Sequence, residues 1–266
     1  MQKTIRYKGA TVSYEVRIKK GRSTVILLHG FLESKEIWND YIKKICQKYN
    51  VIALDLLGHG MTSCLSYVHT MEEMADQVRF VMKTHDVRKG ILVGHSMGGY
   101  VALAFTEKYP DNIKGLCLFN SSAFADTELK KKERDRAILV VKKYHDRFIK
   151  EVIPNLFVST STPQLRGALK RLLGIALKTP KQGIIAALEG MKIRDNREIV
   201  LKFAPCPVFY VIGKKDKLLP YEQLIEQCEH HEHGTYYLSE EGGHLCFFED
   251  KYPTLTALMN WLGKLH

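Results

Sequence analysis

The stretch Gly90-Ile91-Leu92-Val93-Gly94-His95-Ser96-Met97-Gly98-Gly99-Tyr100 constrains the fold of this chain more than any other. Ile91 to Val93 is a short apolar run, whereas Val101, Leu103, Ala104 and Phe105 recur at helical spacing, so the periodicity changes at the serine. A buried strand that runs straight into a helix needs a sharp turn. Gly94 and Gly98, two positions either side of Ser96, remove side chains from that crowded turn and permit unusual φ/ψ. Ser96 is left at an exposed apex, with the unpaired N–H groups of the helix's first turn aimed at the same point. Such a corner favours a developing oxyanion and suits acyl transfer.

This Gly-x-Ser-x-Gly arrangement resembles the nucleophile elbow of the α/β-hydrolase family. The resemblance implies an α/β fold with a mostly parallel central sheet, helices on both faces and an inserted helical cap. The residue pattern agrees. Residues 2–8 and 11–18 alternate as two strands around Lys8-Gly9-Ala10, which predicts an antiparallel edge hairpin. Thr24 to Leu28 and Val51 to Asp55 are continuous apolar runs of the kind found in central parallel strands. Ser34–Tyr49 and Thr70–Thr84 are helical by spacing, and Ile113–Phe119 is a further strand. The alternation then stops. From Ser121 to Val200 the patterns are almost all helical, over Glu128–Asp146, Phe148–Phe157, Gln164–Leu177 and Pro180–Lys192. Roughly eighty residues are too many for a single crossover. The expected organisation is a core domain of residues 1–120 and 201–266, interrupted by a helical cap insertion of residues 121–200.

Two further motifs carry the resemblance. His29-Gly30-Phe31 ends the first apolar strand, and in the family the residue after such a pair lends its N–H to an oxyanion hole. Phe31 and Met97 are the implied donors. Asp55-Leu56-Leu57-Gly58-His59-Gly60 matches the family's structured loop, where relatives often carry arginine next. Here Met61 stands in that place, so the loop's usual local ion pairing is not expected. Asp55 precedes Ser96, against the family's chain order, and is read as structural.

Pro207–Gly213 is another strand, with Asp216 just beyond its carboxyl end, where ligands bind in open α/β sheets. Tyr236–Leu238 is a last short strand, and Ser239-Glu240-Glu241-Gly242-Gly243-His244 leads towards a final helix around Pro253–Leu265. The order Ser96, Asp216, His244 is the one the resemblance implies for nucleophile, acid and base. Glu240 and Glu241 are rival acids, but they share the histidine's own loop. The His230-His231-Glu232-His233 run invites a metal reading, yet consecutive side chains converge poorly on one ion, and no metal or cofactor is expected.

The expected activity is hydrolysis of a carboxylic ester, or a related acyl bond, of a small molecule through an acyl-enzyme on Ser96. Lipid hydrolases, thioesterases, aminopeptidases and carbon–carbon bond hydrolases share these motifs, and a low-turnover ligand receptor is a reading of another class. Serine in place of aspartate at the elbow disfavours dehalogenase or epoxide hydrolase chemistry. The net charge is +11, of which residues 121–200 carry +8, with 17 Lys and Arg against 9 Asp and Glu. This surplus reads as a solvated helical face, as steering of acidic substrates, or as attraction to an anionic membrane surface. No aromatic-interleaved basic stripe is present, so no nucleic-acid partner is expected, and oligomeric state is unreadable. No run approaches membrane-spanning length, no leader-like segment opens the chain, and six scattered cysteines without a CxxC pair read as reduced thiols, so a cytoplasmic setting is expected.

Overall fold

A computed structural model of the protein describes residues 1–265. Its strands are β1 (Gln2–Tyr7), β2 (Ala10–Arg17), β3 (Thr24–Leu28), β4 (Asn50–Leu54), β5 (Gly90–His95), β6 (Ile113–Phe119), β7 (Val208–Gly213) and β8 (Gly234–Ser239). They form one sheet in the order β1-β2-β4-β3-β5-β6-β7-β8. The pairs β1/β2 and β2/β4 are antiparallel and all others are parallel. The first hairpin closes through Lys8 and Gly9, both at positive φ (46° and 89°), as a two-residue turn matched to strand twist requires. Every residue of β3, β4, β5 and β7 is buried. Side chains alternate between faces along a strand, so such burial means that both faces are covered.

The covering helices are α1 (Asn39–Ile45), α2 (Met71–Lys83), α3 (Met97–Lys108), α4 (Glu128–Asn155), α5 (Pro163–Ala176), α6 (Lys181–Lys192), α7 (Glu198–Lys202), α8 (Tyr221–Glu229), α9 (Cys246–Glu249) and α10 (Lys251–Leu262). Thr70 caps α2 by accepting the Glu73 amide, and Met71, Met74, Val78 and Val81 are buried along it. The helix expected over Ser34–Tyr49 is shorter. A 3₁₀ turn spans Lys35–Trp38 and α1 follows it. Asp55 draws that first turn inward, since both the amide and the ammonium of Lys35 donate to its carboxylate, at 2.9 and 2.5 Å. α8 has no counterpart in the sequence reading, because polar residues surround its few buried ones, Leu224, Gln227 and Cys228.

Between β6 and β7 the chain runs through α4, α5, α6 and α7 and adds no strand. The two patterns read at 128–146 and 148–157 correspond to two helical stretches of α4 that join across a kink at Tyr144 (φ −137°, ψ 55°). This insertion meets the rest of the fold at specific points. The His69 amide donates to Ala186 O at 3.0 Å. Arg197, almost fully buried, binds Glu72 on α2 and Glu107 on α3.

Candidate active site

Parallel strands bring the carboxyl ends of β3, β5, β6, β7 and β8 to one edge of the sheet, and the site is built there. At the end of β5 the chain turns into α3 through Ser96, whose φ and ψ are 48° and −115°. The unusual backbone therefore falls on the serine itself. Neither Gly94 nor Gly98 is at positive φ, which corrects the expectation that they supply conformational freedom. Their role is spatial. A Cβ on Gly94 would collide with the Gly98 carbonyl, and one on Gly98 with the Leu28 and His29 carbonyls. A strained non-glycine residue persists only where its surroundings hold it. Here Ser96 N donates to Phe119 O at 3.0 Å and Ser121 Oγ donates to Ser96 O at 2.8 Å.

Ser96, His244 and Asp216, 148 and 28 residues apart in sequence, converge on one another. Ser96 Oγ lies 3.0 Å from His244 Nε2, and His244 Nδ1 lies 2.8 Å from Asp216 Oδ2. The carboxylate requires a proton on Nδ1, which leaves Nε2 free to accept the serine hydroxyl proton. Burial opposes charge on Asp216. The adjacent imidazole and donors from Leu218 N and Asn120 Nδ2 outweigh it and hold its pKa below the usual value. Burial likewise pulls the His244 pKa down, but Asp216, with lesser help from Glu33 and Glu249, outweighs this and raises it above 6.5. The two loops are tied backbone to backbone, with Lys214 N donating to Ser239 O and Lys215 N to Gly242 O, both at 2.9 Å.

The sequence reading missed four side chains that hold this arrangement. Asn120, at φ 44° after β6, donates from Nδ2 to Asp216 Oδ2 (3.2 Å) and Gly243 O (3.0 Å). Glu33 accepts the Gly30 amide at 2.5 Å and faces His95 Nδ1 at 2.9 Å, while His95 Nε2 donates to His244 O at 2.9 Å. One buried pair thus joins the loop after β3, the elbow and the histidine loop. Burial favours a neutral Glu33, yet His95 and the Gly30 amide prevail and lower its pKa. Glu249 accepts the amides of Gly243 (2.8 Å) and Val158 (2.6 Å), which joins the histidine loop to the insertion. A glutamate two residues after an HGF run and a histidine beside the serine were the only signals available, and neither names its partner.

Phe31 lines the cavity at Ser96, and neither its amide nor that of Met97 has a partner among the described residues. The loop behind Phe31 is fixed by His29, whose Nδ1–H donates to Gly30 O while Nε2 accepts the Leu56 amide. Asp55, read as structural, binds Lys35 together with the amides of Lys35 and Met61. The ion pair at Asp55 comes from Lys35, twenty residues upstream. Glu240 and Glu241 sit away from His244 at the surface, paired with Lys214 and Lys215. In the histidine run, His231 uses both ring nitrogens on Ala204 O and His233 N. No group of three metal-ligating side chains is found among the described residues. All six cysteines are unpaired and four are buried. No helix among the described residues is long and apolar enough to cross a membrane.

The cavity has a volume of about 150 Å³. Val152, Leu156 and Met191 of the insertion line it together with Leu218, Leu219 and Phe31 of the core. Behind the site, Phe247 packs edge-on against His95 with ring centroids 4.8 Å apart, and Trp38 and Phe119 complete a buried aromatic cluster.

Fold and site together define an α/β protein with a serine–histidine–aspartate cluster at the carboxyl ends of parallel strands. Residues 23–251 match the family model of the alpha/beta hydrolase fold, and the chain belongs to that family. Among solved structures, a thermophilic esterase from Thermogutta terrifontis is 28% identical with a TM-score of 0.92, over 100% of this chain and 99% of that one. The enol-lactonase from Burkholderia xenovorans LB400 shares the fold at 16% identity and a TM-score of 0.90, over 98% and 100% of the two chains. Among curated relatives, the uncharacterized hydrolase YugF of Bacillus subtilis is 32% identical over 44% of this chain, a match that spans 43% of the relative's length. YisY, an AB hydrolase superfamily protein of the same organism, is 23% identical over 85% of this chain and 87% of its own.

Proposed function

We propose that the protein is a serine hydrolase of small carboxylic esters, working through an acyl-enzyme on Ser96. The observation that carries this reading is the 3.0 Å and 2.8 Å contact chain from Ser96 Oγ through His244 to Asp216. His244 takes the hydroxyl proton as Oγ attacks the ester carbonyl, and Asp216 orients the ring and stabilises the imidazolium. The amides of Phe31 and Met97 stabilise the oxyanion, and His244 returns the proton to the departing alcohol. A water deprotonated by His244 then releases the acid and restores Ser96. No step needs a metal or a redox group. Residues 121–200 act as a cap that shapes the acyl site. A cavity of about 150 Å³ is roughly benzene-sized, which favours short acyl groups over the long chains of a lipase.

The test exposes wild type and Ser96→Ala to a fluorophosphonate and measures turnover of p-nitrophenyl acetate, butanoate and decanoate. Labelling and turnover that vanish together in the variant are expected, with acetate and butanoate preferred. A wild type that neither labels nor turns over would sink the reading and put a binding role first. Preference for decanoate would overturn the short-acyl assignment alone.

A further inference from the structure

Part of the wall of the Ser96 cavity comes from α4, and that part is basic. Lys130 and Arg134 both line the cavity, and a spacing of four residues places them on one side of the helix. Arg134 binds Asp126 through Nε and Nη2, and Arg194 binds the same carboxylate through Nη1. Two guanidinium groups thus share one carboxylate, which leaves the trio with a net positive charge. The Arg194 guanidinium lies 4.0 Å from the ring centroid of Tyr100, itself a lining residue. Lys130 meets Glu133 at 3.3 Å, with both side chains open to solvent, where such pairs hold weakly. Arg134 Nη1 has no hydrogen-bond partner among the described residues.

The acids near the reacting serine are committed elsewhere. Glu33 is engaged by His95 and the Gly30 amide, and Asp216 by His244, Asn120 and two backbone amides. The rest of the lining is mostly hydrocarbon. A purely apolar acyl group would leave cationic donors facing apolar atoms, which is unfavourable. A carboxylate on the substrate would instead meet charge-assisted donors in a partly dry site.

We infer that Lys130 and Arg134 form an anion-binding subsite, and that the esters this protein hydrolyses carry a second, ionised carboxylate a few atoms from the scissile carbonyl. The inference rests on the ester-hydrolase reading and narrows its substrates to monoesters of short dicarboxylic acids and esters of small hydroxy acids. The cavity volume of about 150 Å³ accommodates a short chain with one terminal charge.

The test uses two matched pairs of esters. On the acyl side, p-nitrophenyl hydrogen succinate is compared with the neutral, similarly shaped p-nitrophenyl 4-methylpentanoate. On the alcohol side, 4-acetoxybenzoate is compared with 4-isopropylphenyl acetate. Each is assayed with wild type, Lys130→Gln and Lys143→Gln. Lys143 is exposed on the same helix and does not line the cavity, so its variant removes equal net charge. The readout is the ratio of kcat/KM for charged over neutral ester, and comparing that ratio between variants cancels differences in leaving-group reactivity. In at least one pair the ratio should fall about tenfold in Lys130→Gln, in line with one lost hydrogen bond to a charged group. It should stay at the wild-type value in Lys143→Gln, and in wild type it should fall at high salt. An unchanged ratio in Lys130→Gln for both pairs, or an equal drop in Lys143→Gln, overturns the subsite and leaves the hydrolase reading standing. If wild type hydrolyses none of the four esters, the hydrolase reading itself fails and takes the subsite with it.

Discussion

The loops at the carboxyl edge of the sheet and the helical insertion between β6 and β7 are held by different forces. At the sheet edge, Asn120, Asp216, His95, Glu33 and His244 are buried or nearly so, and each is fixed by hydrogen bonds to residues far away in sequence. In the insertion many charged side chains sit at the surface, and some of them form short-range pairs such as Arg147 with Glu151 and Lys131 with Glu128. The insertion meets the core through buried apolar side chains such as Val141, Ile149 and Ile184 and through polar contacts, among them Arg197 with Glu72 and Glu107, and Val158 with Glu249. Geometry that must be accurate is built from buried polar groups whose loss is costly, while the exposed ion pairs of the insertion are screened by solvent.

The sharpest way to break this contrast is at Asp216. Asp216→Asn should lower kcat for a short ester by about 10⁴-fold, because an amide at this position favours the wrong imidazole tautomer. The remaining activity should also have a displaced pH profile. If His244 is the base, its raised pKa requires pH above 6.5 for the neutral form in wild type, and activity should fall as pH drops through that raised value. Removing the carboxylate leaves burial as the main influence, and the acid limb should move to lower pH. A pH–kcat profile of both proteins decides it, and an unmoved limb would assign that ionisation to another group.

A smaller effect is expected at Glu33. Glu33→Gln removes one partner of a buried pair and should destabilise the fold by roughly 3 kcal/mol, the low end for such a loss. Its urea midpoint should drop accordingly, with kcat lowered more than KM is raised, because the pair positions the elbow and the His244 carbonyl. A midpoint within error of wild type would mean that the pair adds nothing to the site's rigidity. The smallest effect belongs to the insertion surface. Arg147→Ala removes an exposed i,i+4 pair and should leave the urea midpoint unchanged, since solvent screens such pairs. A clear shift would show that the insertion is more tightly organised than its exposed charges suggest.

Much of this architecture is local and therefore legible in the chain. The change of period at Ser96, the apolar runs of β3 and β4, the hairpin at Lys8-Gly9 and the amphipathic spacing of α2 each follow from a few neighbouring residues. The helical content of the insertion was equally plain, but the place of its first kink was not. The patterns at 128–146 and 148–157 are two helical stretches joined at Tyr144, a few residues before the expected change of pattern, because the residues there include no Pro or Gly to signal a break. α8 escaped notice for a related reason, since only three of its residues are buried and one of those is a glutamine.

By itself the sequence determined the order of the strands and of most helices, the turn that presents Ser96 and the residue types that accompany it. These follow from propensity and periodicity, which act over a handful of residues. Tertiary structure alone decided which side chains meet. The partner of Asp55 is Lys35 rather than a neighbour at position 61, Asn120 stands between Asp216 and Gly243, and Glu33 reaches the His244 loop through His95. The basic face that Lys130 and Arg134 turn to the cavity belongs to the same class. Each of these depends on where separate segments come to rest against one another once the core has packed, and contacts at such separations leave no periodic mark along the chain.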